Sequence, residues 1–291
     1  MIIFPDISPE IFSISAFGLS FSIRWYALSY IAGILLAWRM ALIALHRAEI
    51  WPKNLAPMSA RDFGDLLTWM ILGILLGGRF GYVLFYQPAY YFANPFEIVM
   101  IWTGGMAFHG GLLGVVLAAF FYFRRNLVPY ASGADVVALS TPMGLFLGRV
   151  ANFINAELWG RPTDLPWGVA FPGQAAQACG QAVGLCARHP SQLYEAALEG
   201  LLLGVVLAVM AFRYNALKRP GLITGAFFLI YGLSRCLVEL FRQPDAQFQS
   251  PGNPLGYSLY FDSFGLTMGQ VLSLPMVLLG AILILRAFRK L

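Results

Sequence analysis

The chain has 291 residues, 59% of them hydrophobic and only 11% charged, with a mean hydropathy of +0.69. A soluble domain carries about a quarter charged residues, so most of this surface is expected to meet lipid rather than water. The formal charge of +5 includes no basic run with interleaved aromatics, which excludes an ordinary nucleic-acid interface, and three cysteines without a CxxC exclude a thiolate metal cluster.

A helix that spans a bilayer needs about 20 predominantly apolar residues. The first 21 residues hold no basic n-region, so the first apolar span is expected to be retained rather than cleaved. In chain order the predicted spans are residues 25–45, 66–86, 108–123, 134–155, 190–212, 222–241 and 268–288. The third is short and the fourth holds polar residues. The expected fold is an all-α polytopic membrane protein with about seven transmembrane helices. A single domain covers residues 1–291, and residues 158–188 form an outer loop or small head within it. No internal repeat is visible, which counts against an inverted-repeat transporter.

Lys and Arg sort the loops, because cytoplasmic loops carry their excess. Arg47, Lys53 and Arg61 follow the first span, Arg124 and Arg125 the third, and Arg213, Lys218 and Arg219 the fifth. Arg286, Arg289 and Lys290 end the chain. The alternate loops hold Arg161, Arg188 and Arg242, so the split is eleven against three. The N-terminus is therefore expected outside and the C-terminus in the cytoplasm.

That orientation gathers the polar residues of every span in one leaflet. Arg24 and Tyr26 open the first span, Arg79 lies in the outer half of the second, and His109 opens the third. Arg149, Asn152, Asn155 and Glu157 run to the outer end of the fourth. His189, Gln192 and Glu195 begin the fifth, Tyr231, Arg235 and Glu239 approach the end of the sixth, and Gln270 begins the seventh. Ionisable groups at membrane depth are costly and mark function. Tyr231, Arg235 and Glu239 recur every four residues and share a helical stripe; Arg149 and Asn152 share a face. Arg79, Arg149 and Arg235 outnumber nearby acids such as Glu239, which points to an anion from outside the protein. A planar guanidinium fork suits a phosphate.

Other segments carry competing readings. Gly104-Gly105-Met106-Ala107-Phe108-His109-Gly110-Gly111 sets one histidine among glycines; it fits a site where backbone approaches ligand, or a packing turn. Around Arg149, Asn155 and Glu157 fit an interhelical contact as well as a site. His189-Pro190 reads as a helix start in which His189 caps or orients. Tyr26 fits an aromatic belt or the site equally, and Trp25 fits the belt. A disulfide between Cys179 and Cys186 is permitted but not implied. No HExxH, Gly-x-Ser-x-Gly or Walker A motif is present, so an enzyme here would take its nucleophile from a substrate.

Almost the whole chain resembles the prolipoprotein diacylglyceryl transferases of bacteria. The resemblance rests on Gly77-Gly78-Arg79-Phe80-Gly81-Tyr82, on Phe108-His109-Gly110-Gly111 and on the signature from Arg149 to Gly160. It extends to His189-Pro190-Ser191-Gln192-Leu193-Tyr194-Glu195 and to Tyr231 through Arg242-Gln243-Pro244-Asp245. The chain departs from the usual signature at Ala151 and Ala156, where glycine is common; tighter packing is the expected effect. The resemblance implies transfer of the diacylglyceryl group of phosphatidylglycerol to the lipobox cysteine of a prolipoprotein, in the bacterial cytoplasmic (inner) membrane. It implies no metal or other cofactor, a site toward the periplasmic leaflet, and the lipid bilayer as environment. Arg149 and Arg235 are then expected to bind phosphate and His109 to assist thiol deprotonation. Tyr26, Arg79, Asn152, Glu157, Gly160, Tyr231 and Glu239 complete the expected lipid site. The rival reading is a lipid or anion transporter, which should spread ionisable groups across the midplane; an intramembrane protease should bring its own nucleophile or metal.

Overall fold

All seven predicted segments are helical in the computed structural model: α1 (Trp25–Leu45), α2 (Ala60–Phe85), α3 (Phe108–Arg125), α4 (Tyr130–Ile154), α5 (Ser191–Phe212), α6 (Leu222–Val238) and α7 (Met268–Arg289). The structure describes residues 1–16, 19–179, 184–244, 246–261 and 264–289. Asp245 of the last motif and Lys290 of the basic tail lie outside the described residues. Among the described residues, five helices (α1, α2, α4, α5 and α7) are long and apolar enough to cross a membrane. The shorter α6 is also apolar, over 17 residues.

The all-α expectation needs correction. Three two-stranded sheets accompany the helices: β1 (Ile2–Ile3) runs parallel to β4 (Val169–Ala170), β2 (Glu10–Ala16) pairs antiparallel with β3 (Leu19–Arg24), and β5 (Tyr257–Phe261) with β6 (Phe264–Thr267). The stretch Phe12-Ser13-Ile14-Ser15 alternates with period two, a strand signal that a search for long apolar windows passes over.

Residues 41–134 form one compact unit. Here α2 starts six residues before the predicted span because Ser59 and Asp62 make a capping box: the Ser59 hydroxyl accepts from Asp62 N (3.1 Å), and the Asp62 carboxylate accepts from Ser59 N (2.9 Å). The helices α2 and α3 approach closely through Gly73, Gly77 and Gly81 on one side and Gly110, Gly114 and Ala118 on the other. A Cβ on Gly77 or Gly114 would overlap the facing backbone carbonyl.

Residues 1–40 and 135–291 form the other unit. Asp135, fully buried in the second turn of α4, accepts from Gly221 N (2.7 Å), Thr224 N (2.8 Å) and the Thr224 hydroxyl (2.7 Å). It caps the start of α6 from a neighbouring helix and so fixes the height of Arg235 on that helix. Gly200 lets α5 lie against α4, since a Cβ there would come within 2.7 Å of Phe146 Cα. Residues 158–188 carry a small core of Val169, Phe171 and Ala176, packed with Phe4, Phe153, Ala156 and Trp159. The chain's first strand therefore joins this head, which the predicted boundaries left out. A disulfide joins Cys179 and Cys186.

Candidate functional site: a buried arginine–glutamate cluster

The helix α5 starts at Ser191, whose hydroxyl donates to Leu158 O (3.0 Å), while Gln192 donates to Glu157 O (2.5 Å). These bonds tie the helix to the turn leaving α4. Four and eight residues into α5 lie Glu195 and Glu199, one above the other and buried at 1% and 0% side-chain exposure. Residues 196–202 form a π-helical turn, a wider winding that recurs at functional sites.

Two helices, and the turn that follows the second, bring arginines to these acids. From α4, Arg149 Nη1 lies 3.0 Å from Glu195 Oε2 and its Nη2 3.7 Å from Glu199. From α6, Arg235 Nη1 donates to Glu195 Oε1 at 2.6 Å, and its Nη2 lies 2.8 Å from Glu239. Arg242, just beyond α6, reaches Glu195 at 3.5 Å and Glu239 at 3.3 Å. The expectation that arginines outnumber acids is therefore corrected: Arg149, Arg235 and Arg242 face Glu195, Glu199 and Glu239. Sequence reading counted Glu195 among the polar groups of the outer leaflet without pairing it to the arginines, and passed over Glu199; their i, i+4 spacing in an apolar helix was the available signal. The Arg149 and Arg235 side chains keep 21% and 15% exposure, so neither is fully enclosed by the helices.

Several of the predicted companions are held by contacts of their own. Glu239 also accepts from the Thr267 hydroxyl (2.8 Å), and Gly269 leaves room for its carboxylate, which a Cβ would overlap. Thr267 and Gln270 cap α7 reciprocally (3.3 and 3.1 Å), so the same threonine starts a helix and holds a site carboxylate. Neither Thr267 nor Gly269 was expected. Tyr231 stacks on Phe227 one turn before Arg235. Asn152 donates to Glu157 at 2.7 Å. The Tyr30 hydroxyl donates to that of Tyr26 (3.2 Å) and lies in the field of both Glu157 and Arg149, which links α1 to the site.

Gly160 is held between two backbones. Its N–H donates to His189 O (2.8 Å), Arg161 N donates to Phe241 O (2.8 Å), and Gly160 bridges Arg242. A Cβ here would overlap Phe241 O and come within 2.8 Å of His189 O. Beside it, buried Arg188 donates to Gly160 O (3.2 Å), to Ala176 O (2.5 Å) and to Ala178 O (3.1 Å), and stacks on Trp159 at 3.9 Å. Burial holds its guanidinium below the usual arginine range. Trp167 N–H donates to the Tyr194 hydroxyl (2.9 Å), which also shares a hydrogen bond with His189 Nδ1 (3.1 Å). The capping expectation for His189 becomes this side-chain link between head and helix.

Arg79 and His109 belong to residues 41–134. Arg79 is 3% exposed, and its guanidinium bonds five backbone carbonyls: Ile98 (2.9 Å), Glu97 (2.5 Å), Met100 (3.2 Å), Gly105 (3.2 Å) and Gly104. All five donors are engaged with the chain leading into α3, so Arg79 shapes that segment. The glycines around His109 follow the packing reading: Gly110 lies on Gly77, and the carbonyls of Gly104 and Gly105 wrap Arg79. His109 stands exposed in the first turn of α3.

A family described as prolipoprotein diacylglyceryl transferase matches residues 13–286. A phosphatidylglycerol–prolipoprotein diacylglyceryl transferase of Ruegeria pomeroyi is 66% identical over 284 residues, covering 98% of this chain and 96% of the relative. Proteins of the same name from Roseobacter denitrificans (61% identity, 98% and 97% coverage) and Cereibacter sphaeroides strain ATCC 17025 (58%, 98% and 98%) are similar over nearly the same length.

Proposed function

Because the chain belongs to the prolipoprotein diacylglyceryl transferase family, we propose that it moves the diacylglyceryl group of phosphatidylglycerol onto the lipobox cysteine thiol of a prolipoprotein. A thioether forms and glycerol phosphate leaves. The observation that carries this reading is the meeting of Arg149 and Arg235 on the two oxygens of one buried carboxylate, at 3.0 and 2.6 Å. Glu195 holds both forks in a fixed relation, and the two guanidinium groups then receive the lipid phosphate.

Displacement at an sp³ carbon builds no tetrahedral oxyanion; charge grows instead on the departing phosphate. Arginines fixed in a water-poor site stabilise that charge and align the lipid for in-line attack. The thiolate is the nucleophile. His109 accepts the thiol proton as general base. Tyr26, Asn152, Glu157, Tyr231 and Glu239 line and brace the lipid site, Gly160 keeps its floor in place, and Arg79 holds the segment that carries His109.

The proposed topology has seven spans, the N-terminus outside, and the arginine cluster in the outer leaflet of the bacterial cytoplasmic membrane. The Lys and Arg distribution supports it. So does the disulfide in the head, since such bonds persist in oxidising compartments. Mass spectrometry of a lipobox peptide incubated with the purified protein and phosphatidylglycerol tests the reaction. A diacylglyceryl adduct is expected; cleavage of the peptide, or lipid movement across vesicles without an adduct, would overturn it.

A further inference from the structure

Glu199 is the member of the cluster that the transfer reaction does not use. Its side chain is fully buried, and neither carboxylate oxygen has a hydrogen-bond partner among the described residues. The nearest guanidinium nitrogens belong to Arg149 at 3.7 Å and Arg235 at 3.8 Å, beyond hydrogen-bond range. The other two acids are better held. Glu195 accepts from Arg235 at 2.6 Å, and Glu239 accepts from Arg242 and Thr267 and pairs with Arg235.

Charge counting gives the isolation of Glu199 a consequence. With every group ionised, Arg149, Arg235 and Arg242 balance Glu195, Glu199 and Glu239, so this six-residue cluster is neutral; Glu157, which accepts from Asn152, stands outside the count. A neutral pocket offers a phosphodiester no net attraction over a zwitterionic head group. Entry of that phosphate would also leave one buried negative charge uncompensated, which a low-dielectric site tolerates poorly. One proton makes this six-residue cluster singly positive and resolves both difficulties.

The groups acting on Glu199 are Glu195 from its own helix, Arg149 from α4, and Tyr231, Arg235 and Glu239 from α6. Arginine stays charged and tyrosine already carries its proton, so only a carboxylate can accept one near neutral pH. Glu195 and Glu239 would lose arginine hydrogen bonds on protonation; Glu199 has none to lose. We propose that Glu199 carries a proton whenever an anionic head group is bound, and so matches the pocket to a singly charged phosphodiester. This rests on the reading of Arg149 and Arg235 as the phosphate site.

The test is titration calorimetry of the full-length protein in phosphatidylcholine nanodiscs, with short-chain phosphatidylglycerol as probe, in buffers of different ionisation enthalpy. The wild type should take up about one proton per lipid bound, and its affinity should weaken by up to about tenfold per pH unit where that proton is no longer held in the free protein. Glu199→Gln, already neutral, should take up none and bind with an affinity independent of pH. Wild-type binding without proton exchange, or uptake undiminished in Glu199→Gln, overturns the proposal; the wild-type proton count alone decides it if the variant fails to fold. Absence of any preference for phosphatidylglycerol in the wild type would instead overturn the phosphate site itself, and this inference with it.

Discussion

Arg235 donates a 2.6 Å hydrogen bond to Glu195, a residue 40 positions earlier in the chain and on another helix. Arg149 takes the second oxygen of the same carboxylate at 3.0 Å. One acid therefore sets the distance between two arginines that arrive on separate helices.

Removing that buried acid should leave two half-buried guanidinium groups without their shared counter-charge. Breaking a buried ion pair from one side costs about 3–5 kcal/mol. Glu195→Ala is expected to lower thermal stability by that order and to abolish transfer, read from unfolding curves and the peptide-adduct assay. An unchanged unfolding temperature would show that Glu195 does not organise the cluster.

Gly160 tests the clasp without altering any polar group. Its Cβ space is taken by the backbone at Phe241 and His189. Gly160→Ala should cost about 1–3 kcal/mol through overpacking, with transfer falling more than lipid binding as the adjoining turns shift. Wild-type turnover in this variant would remove the clasp from the account.

The two alanines that depart from the family signature should behave oppositely. Ala156 has φ = +53°, a left-handed conformation that costs a residue with a Cβ about 1 kcal/mol, whereas Ala151 is buried in helical α4. The glycine preference at position 156 is thus conformational, where the sequence suggested only tighter packing. Ala156→Gly should stabilise by about 1 kcal/mol and Ala151→Gly destabilise by about 1 kcal/mol. Comparing chemical denaturation of the two variants separates the cases, and a destabilised Ala156→Gly would refute the backbone argument.

Burial pushes the His189 imidazole below its ordinary value and so favours the neutral ring. Its folded-state pKa is depressed, so its contribution to stability is present above about pH 6.5 and is lost as pH falls through the folded value. The difference in melting temperature between wild type and His189→Gln should shrink on acidification from pH 8 to pH 5, roughly the range over which a histidine titrates. Parallel profiles would show that the ring is not held neutral.

Much of this architecture was legible because long apolar windows are a strong signal: all seven predicted spans are helical. Their ends moved where polar capping residues took over, as Ser59 and Asp62 do for α2. The sheets were missed because their strands are short and alternate with period two. Arg149 and Arg235 stood out as charges in apolar helices, but their pairing with Glu195 and Glu199 depends on how α4, α5 and α6 pack, which spacing along one helix does not encode. Arg79 misled for the same reason. A buried arginine satisfied by five backbone carbonyls looks, in sequence, like one awaiting a ligand.

The most direct measurement is transfer to a lipobox peptide by Arg149→Ala and Arg235→Ala, each checked for membrane insertion. Loss of preorganised charge stabilisation should lower the rate by roughly 100-fold or more in either variant while insertion is unchanged. Wild-type rates in both would contradict the claim that these two guanidinium groups hold the departing phosphate.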